Sequence, residues 1–320
     1  MTPLRTPRFI QHHVTDSAAD RTAIEAGLLA TPAHASPKYF YDRLGSHLFE
    51  AITELPEYYP TRTEAAILKA HGAAIAERIG AGATLIDLGA GNCAKAARLF
   101  PLLEPARYVA IDISVDFLHD ALKRLQREHP ALDIVGLGQD FSSALDLEPG
   151  LTGERAVFFY PGSSIGNFTP AEALGFLKRV RAQADGGGLL IGVDLVKSST
   201  TLQAAYDDAL GVTAAFNLNI LRQLNRLIGS DFAPADWRHV GLYNEAESRV
   251  EMHLEARRDL QVRWPGAERA FRAGERIHTE NSCKYTVEGF MALLESAGFE
   301  VPRHWTDDRG WFGVFWAAAG

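Results

Sequence analysis

Three short apolar runs in the first two thirds of the chain each end in residues able to grip a small polar ligand. The first closes with Asp87-Leu88-Gly89-Ala90-Gly91, and Lys95 follows just after it. The second closes at Asp112, 23 residues beyond Gly89, and the third at Asp140-Phe141. Glycines without a Cβ let a backbone turn sharply and approach a ligand. An acid roughly 20 residues past such a turn stands where a ribose lies in nucleotide-binding βαβ units. A carboxylate can accept from both the 2′ and the 3′ hydroxyl. Asp140 can accept from an exocyclic amine while Phe141 stacks, which is how an adenine is clamped. The Lys95 ammonium suits a ligand carboxylate.

Each feature alone has a plainer reading. A single Gly-x-Gly is often only a turn, Asp112 could be an acid favoured at a helix N-terminus, and Lys95 could be a solvated side chain. Together, at the ends of successive strands, they favour a nucleoside cofactor. The third glycine of Gly-x-Gly-x-x-Gly is replaced by Ala94. That disfavours a pyrophosphate cradle and, with it, a nicotinamide-dependent oxidoreductase. S-adenosylmethionine has no phosphate and needs only the turn and the ribose acid.

The elements that must hold these residues follow from apolar periodicity. Strand runs are expected at 83–88, 108–112, 133–137, 156–160 and 189–193, with helices at 95–103, 117–129 and 170–184 between them. Fully apolar strands alternating with helices predict a parallel sheet covered on both faces. Helices are also expected at 20–29, 39–55 and 61–79, with Thr63 as a possible cap, while the first fifteen or so residues read as loose. Residues 199–285 leave the strand–helix rhythm: 206–227 reads as one long helix, and 249–257 as a strand with Val250, Met252 and Leu254 on one face. A helix over 286–297 and a closing strand over 310–319 return to the first domain. The expected organisation is an α/β, Rossmann-like domain at 65–198 and 286–320, an inserted α+β domain at 199–285, and N-terminal helices at 16–64.

Composition narrows the classes. The 320 residues are 47% hydrophobic and 22% charged with a net charge of −8, as in an ordinary soluble globular protein and without the basic stripe nucleic acid demands. No run is long and apolar enough for a membrane span, and the N-terminus lacks the apolar core of a secretory signal. Cys93 and Cys283 form no disulfide framework, and neither His12-His13 nor any other histidine sits in metal-ligand spacing. We expect a cytoplasmic monomer with no metal, no nucleic-acid partner and no membrane partner.

Several longer motifs remain. They are Lys38-Tyr39-Phe40-Tyr41-Asp42 with Gly45-Ser46, the run from Leu55 through Tyr58 to Glu64, and Gly162 through Asn167. Asp194-Leu195-Val196-Lys197, Tyr206-Asp207-Asp208, Gly211 through Asn217, and Ser282-Cys283-Lys284-Tyr285 follow. On these motifs the chain, from Pro37 to its C-terminus, resembles the histidine Nα-methyltransferase family of ergothioneine biosynthesis.

The resemblance implies a class I methyltransferase domain and a second domain, with an amino acid held between them. It assigns Gly89, Lys95, Asp112, Asp140, Phe141 and Gly162 to S-adenosylmethionine. It gives Asn167 and Tyr206 to the substrate carboxylate, Tyr58 to substrate contact, and Glu280 and Ser282 to the two imidazole nitrogens. Tyr41 and Phe216 line the amine region, Tyr41 being the candidate catalytic residue, and Met252 lies near the side-chain pocket. The chemistry agrees: amide and hydroxyl groups donate to a carboxylate, and a pocket built for imidazole leaves polar groups unpaired around an apolar side chain. This chain departs from many relatives at Cys93 and Ala96, where Ser or Thr is frequent, and at Asn281, where an apolar residue is expected. The implied reaction is trimethylation of the α-amino group of histidine to hercynine. The rivals are an N-methyltransferase acting on tryptophan or another amino acid, as in fungal proteins resembling the family, and a non-catalytic module that binds the cofactor.

Overall fold

The computed structural model describes every residue except 1–4, 12–16, 143, 146, 149 and 185. His12-His13 and residue 16 therefore lie outside the described residues. In chain order the strands are β1 (Arg8–Gln11), β2 (Ala33–His34), β3 (Thr84–Leu88), β4 (Arg107–Asp112), β5 (Asp133–Gly138), β6 (Ala156–Tyr160), β7 (Gly188–Asp194), β8 (Trp237–Asn244), β9 (Arg249–Ala256), β10 (Leu260–Trp264), β11 (Ala267–Phe271), β12 (Arg276–Cys283), β13 (Glu300–Thr306) and β14 (Phe312–Ala318). The chain forms two compact units. Unit 1 comprises Met1–His13, Pro60–Val196 and Lys284–Gly320; unit 2 comprises Val14–Tyr59 and Lys197–Cys283, over the residues described.

Unit 1 is built on an eight-stranded sheet in the order β1-β5-β4-β3-β6-β7-β14-β13. Strands β1 to β7 of that sheet run parallel, whereas β14 pairs antiparallel with β7, and β13 with β14. The sheet is thus mixed rather than wholly parallel. The expected closing strand is present as β14, but its hairpin partner β13 carries Pro302, His304 and Thr306 and lacks an apolar signature. Residues 8–11, expected to be loose, add the edge strand β1.

The full burial of β3, β6 and β7 has a simple cause: alternate side chains enter two cores. Ile86, Leu88, Val109 and Ile111 join one cluster with Phe176, Phe290 and Phe315. Leu85, Tyr108, Ala110 and Phe159 join the other with Ile75, Leu118 and Phe312. Each buried Val, Leu, Ile or Phe among them contributes about 1.5–3 kcal/mol. Pro101 splits the expected helix at 95–103 into Ala94–Ala97 and Phe100–Leu103, because a proline cannot donate within a helix.

At the carboxyl end of β7, Asp194 and Lys284 form an ion pair of 2.7 Å with both side chains inaccessible to water. The Asp194 amide donates to Ser163 Oγ at 2.8 Å, and Leu195 bridges to Tyr285. Three of the sequence motifs therefore meet in one structural joint.

Unit 2 contains a four-stranded sheet, β2-β12-β9-β8, and the hairpin β10-β11. Its helices are α1 (Ser17–Leu29), α2 (Arg43–Thr53), and the segments Ser199–Tyr206 and Val212–Ile228. The helix expected over 206–227 starts only at Val212, cut off from Ser199–Tyr206 where Gly211 takes φ +74° and Asp208 accepts from the Val212 and Thr213 amides at 3.0 and 2.8 Å. The helix expected over 39–55 is likewise a 3-10 turn, Pro37–Phe40, followed by α2, with Asp42 as N-cap. The helix Tyr59–Ile79 starts before Thr63, with Pro60 in its first turn, where a missing N–H costs nothing. Among the described residues no helix is long and apolar enough to cross a membrane.

Removing one member of a buried ion pair strands the other charge. Lys284→Met is expected to destabilise the protein by about 3–5 kcal/mol, measured by chemical denaturation. Unchanged stability would show that Asp194 finds another partner.

Candidate active site

In unit 1 the strand order reverses between β3 and β6, the place where open α/β sheets take ligands beyond the carboxyl ends of their strands. The sequence-predicted residues of this unit gather there. Gly89 and Gly91 follow β3 with φ +72° and +52°, conformations that a side chain would strain. The Gly91 amide donates to Asp112 Oδ2 at 2.9 Å, and the Ser114 amide to Oδ1 at 2.8 Å, so the acid closing β4 also holds the glycine turn. Phe141 lies beside Gly89, with its Cζ 3.7 Å from where a Cβ would stand, and packs against Tyr160 and Phe176. Asp140 accepts from the Ser142 amide at 3.0 Å. Gly162 follows β6 with φ +78°, and a Cβ there would meet Lys95 Nζ at 2.9 Å. Asn167 ends the 3-10 turn Ser164–Asn167 and is half-buried. A turn open to backbone approach, two carboxylates and a flanking aromatic ring fit a nucleoside without phosphate.

Beneath the turn, Tyr108 donates to Asp87 Oδ2 at 2.7 Å, while Asp87 Oδ1 is buried without a hydrogen-bond partner. Burial pushes the Asp87 carboxyl up to about 7; the Tyr108 bond holds it back, Asp112 raises it, Lys95 lowers it and Glu64 raises it. Cys93 is buried and its thiol is pushed up to about 12 by that burial, so this departure from relatives fills core and is chemically quiet.

In unit 2 the structure brings the predicted aromatic residues together. Tyr41 meets Phe216 edge-on at 5.8 Å, Phe40 stacks on Phe216 at 4.6 Å, and Tyr58 meets Tyr206 at 6.2 Å. Phe49 joins them, 5.8 Å from Tyr41, 6.0 Å from Phe216 and 6.2 Å from Tyr58. Sequence reasoning missed Phe49, which α2 carries back against Tyr41. Asp42 fixes the local backbone by accepting from the Gly45 amide at 2.7 Å and from Asn219 Nδ2 at 2.8 Å. A Cβ on Gly45 would fall 1.7 Å from the Phe40 carbonyl oxygen, which explains that glycine in the motif.

Pairing of β9 with β12 sets the rest. Glu280 lies opposite Met252 and Ser282 opposite Val250, so Glu280, Ser282 and Met252 share one face. Asn281 pairs with Glu251 on the other face, so that departure does not enter the Glu280/Ser282 face. Tyr206 Oη and Ser282 Oγ are 2.7 Å apart, directly joining two hydroxyls that the resemblance assigns to different ends of a substrate.

Among the described residues one trio could hold an ion: Glu251, His253 and His278, with ligand atoms within 4.8 Å. Sequence spacing concealed it, because cross-strand pairing brings His278 to His253. Glu251 is already engaged by Arg249, Asn244 and His253 at 2.8, 3.0 and 2.9 Å. Burial, then neighbouring His253, takes His278 down to about 4. Burial likewise lowers His253, with Arg276 and Arg249 opposing positive charge on it. Against its own burial, Arg249, Asn244 and His253 hold the Glu251 carboxyl down to about 2. The trio is a hydrogen-bonded network anchored on an ionised carboxylate, and no metal role is assigned to it.

A family model described as histidine-specific, S-adenosylmethionine-dependent methyltransferase matches residues 20–319. The chain belongs to that family. It is 42% identical over 308 residues to the histidine N-alpha-methyltransferase of Mycolicibacterium smegmatis, covering 93% of this chain and 95% of that one. It is 40% identical over 319 residues to the protein of the same name from Mycobacterium tuberculosis, covering 97% and 98%. It is also 30% identical over 305 residues to the N-methyltransferase imqF of Aspergillus flavus, covering 91% and 82%. Membership of this family makes the chain an S-adenosylmethionine-dependent methyltransferase, built in unit 1 on a mixed α/β sheet.

In this methyltransferase Asp87 has a folded pKa raised above its ordinary 3.8. Its contribution to stability is complete below pH 3.8 and is lost as the pH rises towards about 7. Stability should therefore fall with rising pH across this window, by at most roughly 1.4 kcal/mol per pH unit. Asp87→Asn should flatten that fall, and parallel pH profiles in urea denaturation would refute the protonation of Asp87.

Proposed function

We propose that this chain transfers methyl groups from S-adenosylmethionine to the α-amino nitrogen of L-histidine, three in succession, giving hercynine. The observation that carries this reading is the strand face bearing Glu280, Ser282 and Met252 in a chain of this family. A carboxylate and a hydroxyl two residues apart on one strand face suit the two imidazole nitrogens, one donating and one accepting. Tyr206 and Asn167 are the carboxylate donors and Tyr58 a further substrate contact. Residues 65–198 with 286–320 serve the cofactor through Gly89, Lys95, Asp112, Asp140, Phe141 and Gly162. Residues 199–285 with 16–64 serve the amino acid.

The cofactor supplies an electrophilic methyl group on a sulfonium. The substrate nitrogen lone pair forms the new N–C bond as the S–C bond breaks, its electron pair staying on sulfur, and the ammonium proton goes to water. α-Amino groups titrate at about 7.7–8.0 in peptides and higher in a free amino acid, whose own carboxylate favours the ammonium, so the amine must shed its proton before it attacks. Tyr41 orients the amine, and the rings of Tyr41, Phe49 and Phe216 favour the growing cation through cation–π attraction. Both cysteines are free and buried, which agrees with a reducing, cytoplasmic setting, and the enzyme is proposed to act as a monomer.

The test is a methyl-transfer assay with each of the twenty amino acids, read by product mass. Histidine alone should gain three methyl groups. Glu280→Ala should lower kcat/KM for histidine about 10- to 100-fold, the loss expected for a charged hydrogen bond, and leave cofactor affinity unchanged. Transfer to tryptophan or another amino acid would overturn the substrate assignment. Cofactor binding without any transfer would point to a non-catalytic module.

A further inference from the structure

Glu64 ends the motif Leu55 to Glu64, and the roles above leave it unused. Its side chain is only 2% exposed. Oε2 accepts from Lys95 Nζ at 2.8 Å, and Oε1 accepts from the Gly162 amide at 2.8 Å. Lys95 follows β3 and Gly162 follows β6, neighbouring strands on either side of the point where the strand order reverses. One carboxylate therefore ties together the two loops that border the cofactor crevice.

The fold makes room for this group. A Cβ on Gly192, in the middle of β7, would lie 2.0 Å from Glu64 Oε1, and a Cβ on Gly162 would lie 2.9 Å from Lys95 Nζ. Glycine at both positions is what lets the carboxylate, the ammonium and the amide converge. Burial of a charge is tolerated only with such partners, and here both oxygens have one. Lys95 itself is a third exposed, and an ammonium carries three donors. One is turned inward to Glu64, which fixes the direction of the ammonium while its surface stays accessible.

We propose that Glu64 is the positioning residue of the cofactor site: it aims Lys95 and the Gly162 amide, sets the affinity for S-adenosylmethionine, and takes no part in methyl transfer. The inference rests on the assignment of Lys95 and Gly162 to the cofactor. Glutamine at position 64 has the same size but one acceptor oxygen. Whichever way its amide turns, the NH2 faces either the Lys95 ammonium or the Gly162 N–H, and one tie is lost.

The experiment is calorimetric titration of the full chain with S-adenosylhomocysteine, for the parent, Glu64→Gln, Lys95→Met and the double variant, with thermal melts to establish folding. Glu64→Gln should weaken binding at least about tenfold, as loss of a charge-assisted hydrogen bond implies. Lys95→Met should weaken it as well, and the double variant should lose clearly less than the product of the two single losses, since part of the effect of Glu64 runs through Lys95 and part through the Gly162 amide. In turnover, KM for S-adenosylmethionine should rise while kcat stays within about threefold. Parental affinity in Glu64→Gln, with Lys95→Met weakened, would overturn the positioning role, as would losses that simply multiply in the double variant. Parental affinity in Lys95→Met would instead overturn the assignment of Lys95 to the cofactor. If Glu64→Gln does not fold, Glu64→Asp replaces it: the charge remains, but the chain is one methylene too short to hold both partners, and the same weakening is expected.

Discussion

The central strands of unit 1 are buried on both faces, and that constraint shapes everything polar in the unit. Two apolar cores enclose β3, β4, β6 and β7, leaving little place for charge along the strands. Polar chemistry is displaced to the carboxyl ends, where loops replace the hydrogen-bonded ladder. The reversal of strand order between β3 and β6 opens a crevice at that edge. The groups at this edge bond to one another as well as being shaped for a ligand: Asp112 holds the glycine turn, Glu64 holds Lys95 and Gly162, and Asp194 holds Lys284. Site geometry and local stability are therefore set by the same bonds.

Unit 2 solves a different problem. A mostly antiparallel sheet, with only β2 joined in parallel, offers two faces, and residues alternate between them. On β12 this separates Glu280 and Ser282 from Asn281, while on β9 it separates Met252 from Glu251 and His253. One face carries groups suited to an imidazole; the other carries a closed network of Glu251, Arg249, Asn244 and His253. Thr279 anchors the register change between His278 and Glu280 by donating to Asn217 and to the Met252 carbonyl. The aromatic group of Tyr41, Phe49, Tyr58, Tyr206 and Phe216 depends on helix caps at Asp42 and Asp208 for its backbone. Burial opposes charge on Asp208, but the Thr213 backbone and side chain and the Val212 amide outweigh it and hold its carboxyl below the usual range.

Much of this was legible in the order of residues, and the reasons are local. Strand runs β3, β4, β5, β6 and β7 were readable within a residue or two because fully buried strands leave continuous apolar stretches. The glycine turn, Asp112 and Asp140-Phe141 were locatable because each lies at or just beyond the end of a strand run that the sequence makes plain. Several motifs of three to ten residues together carried the family. Elements whose local pattern is weak escaped: the edge strands β1 and β13, the hairpin β10-β11, and the breaks at Asp42, Pro101 and Gly211. In these places a cap, a proline or a pairing partner outweighs apolar periodicity.

What the sequence determined by itself was the inventory: the fold class, the cofactor turn, the family and the residue types available for chemistry. What only the tertiary structure decided was partnership. Glu64 reaches Lys95 and Gly162, Asp194 reaches Lys284, Tyr206 reaches Ser282, and His278 reaches His253 across gaps of 25 to more than 90 residues. Hydrogen bonds and ion pairs act over a few ångströms of space, and linear spacing carries no record of which distant loops a sheet will bring to the same edge.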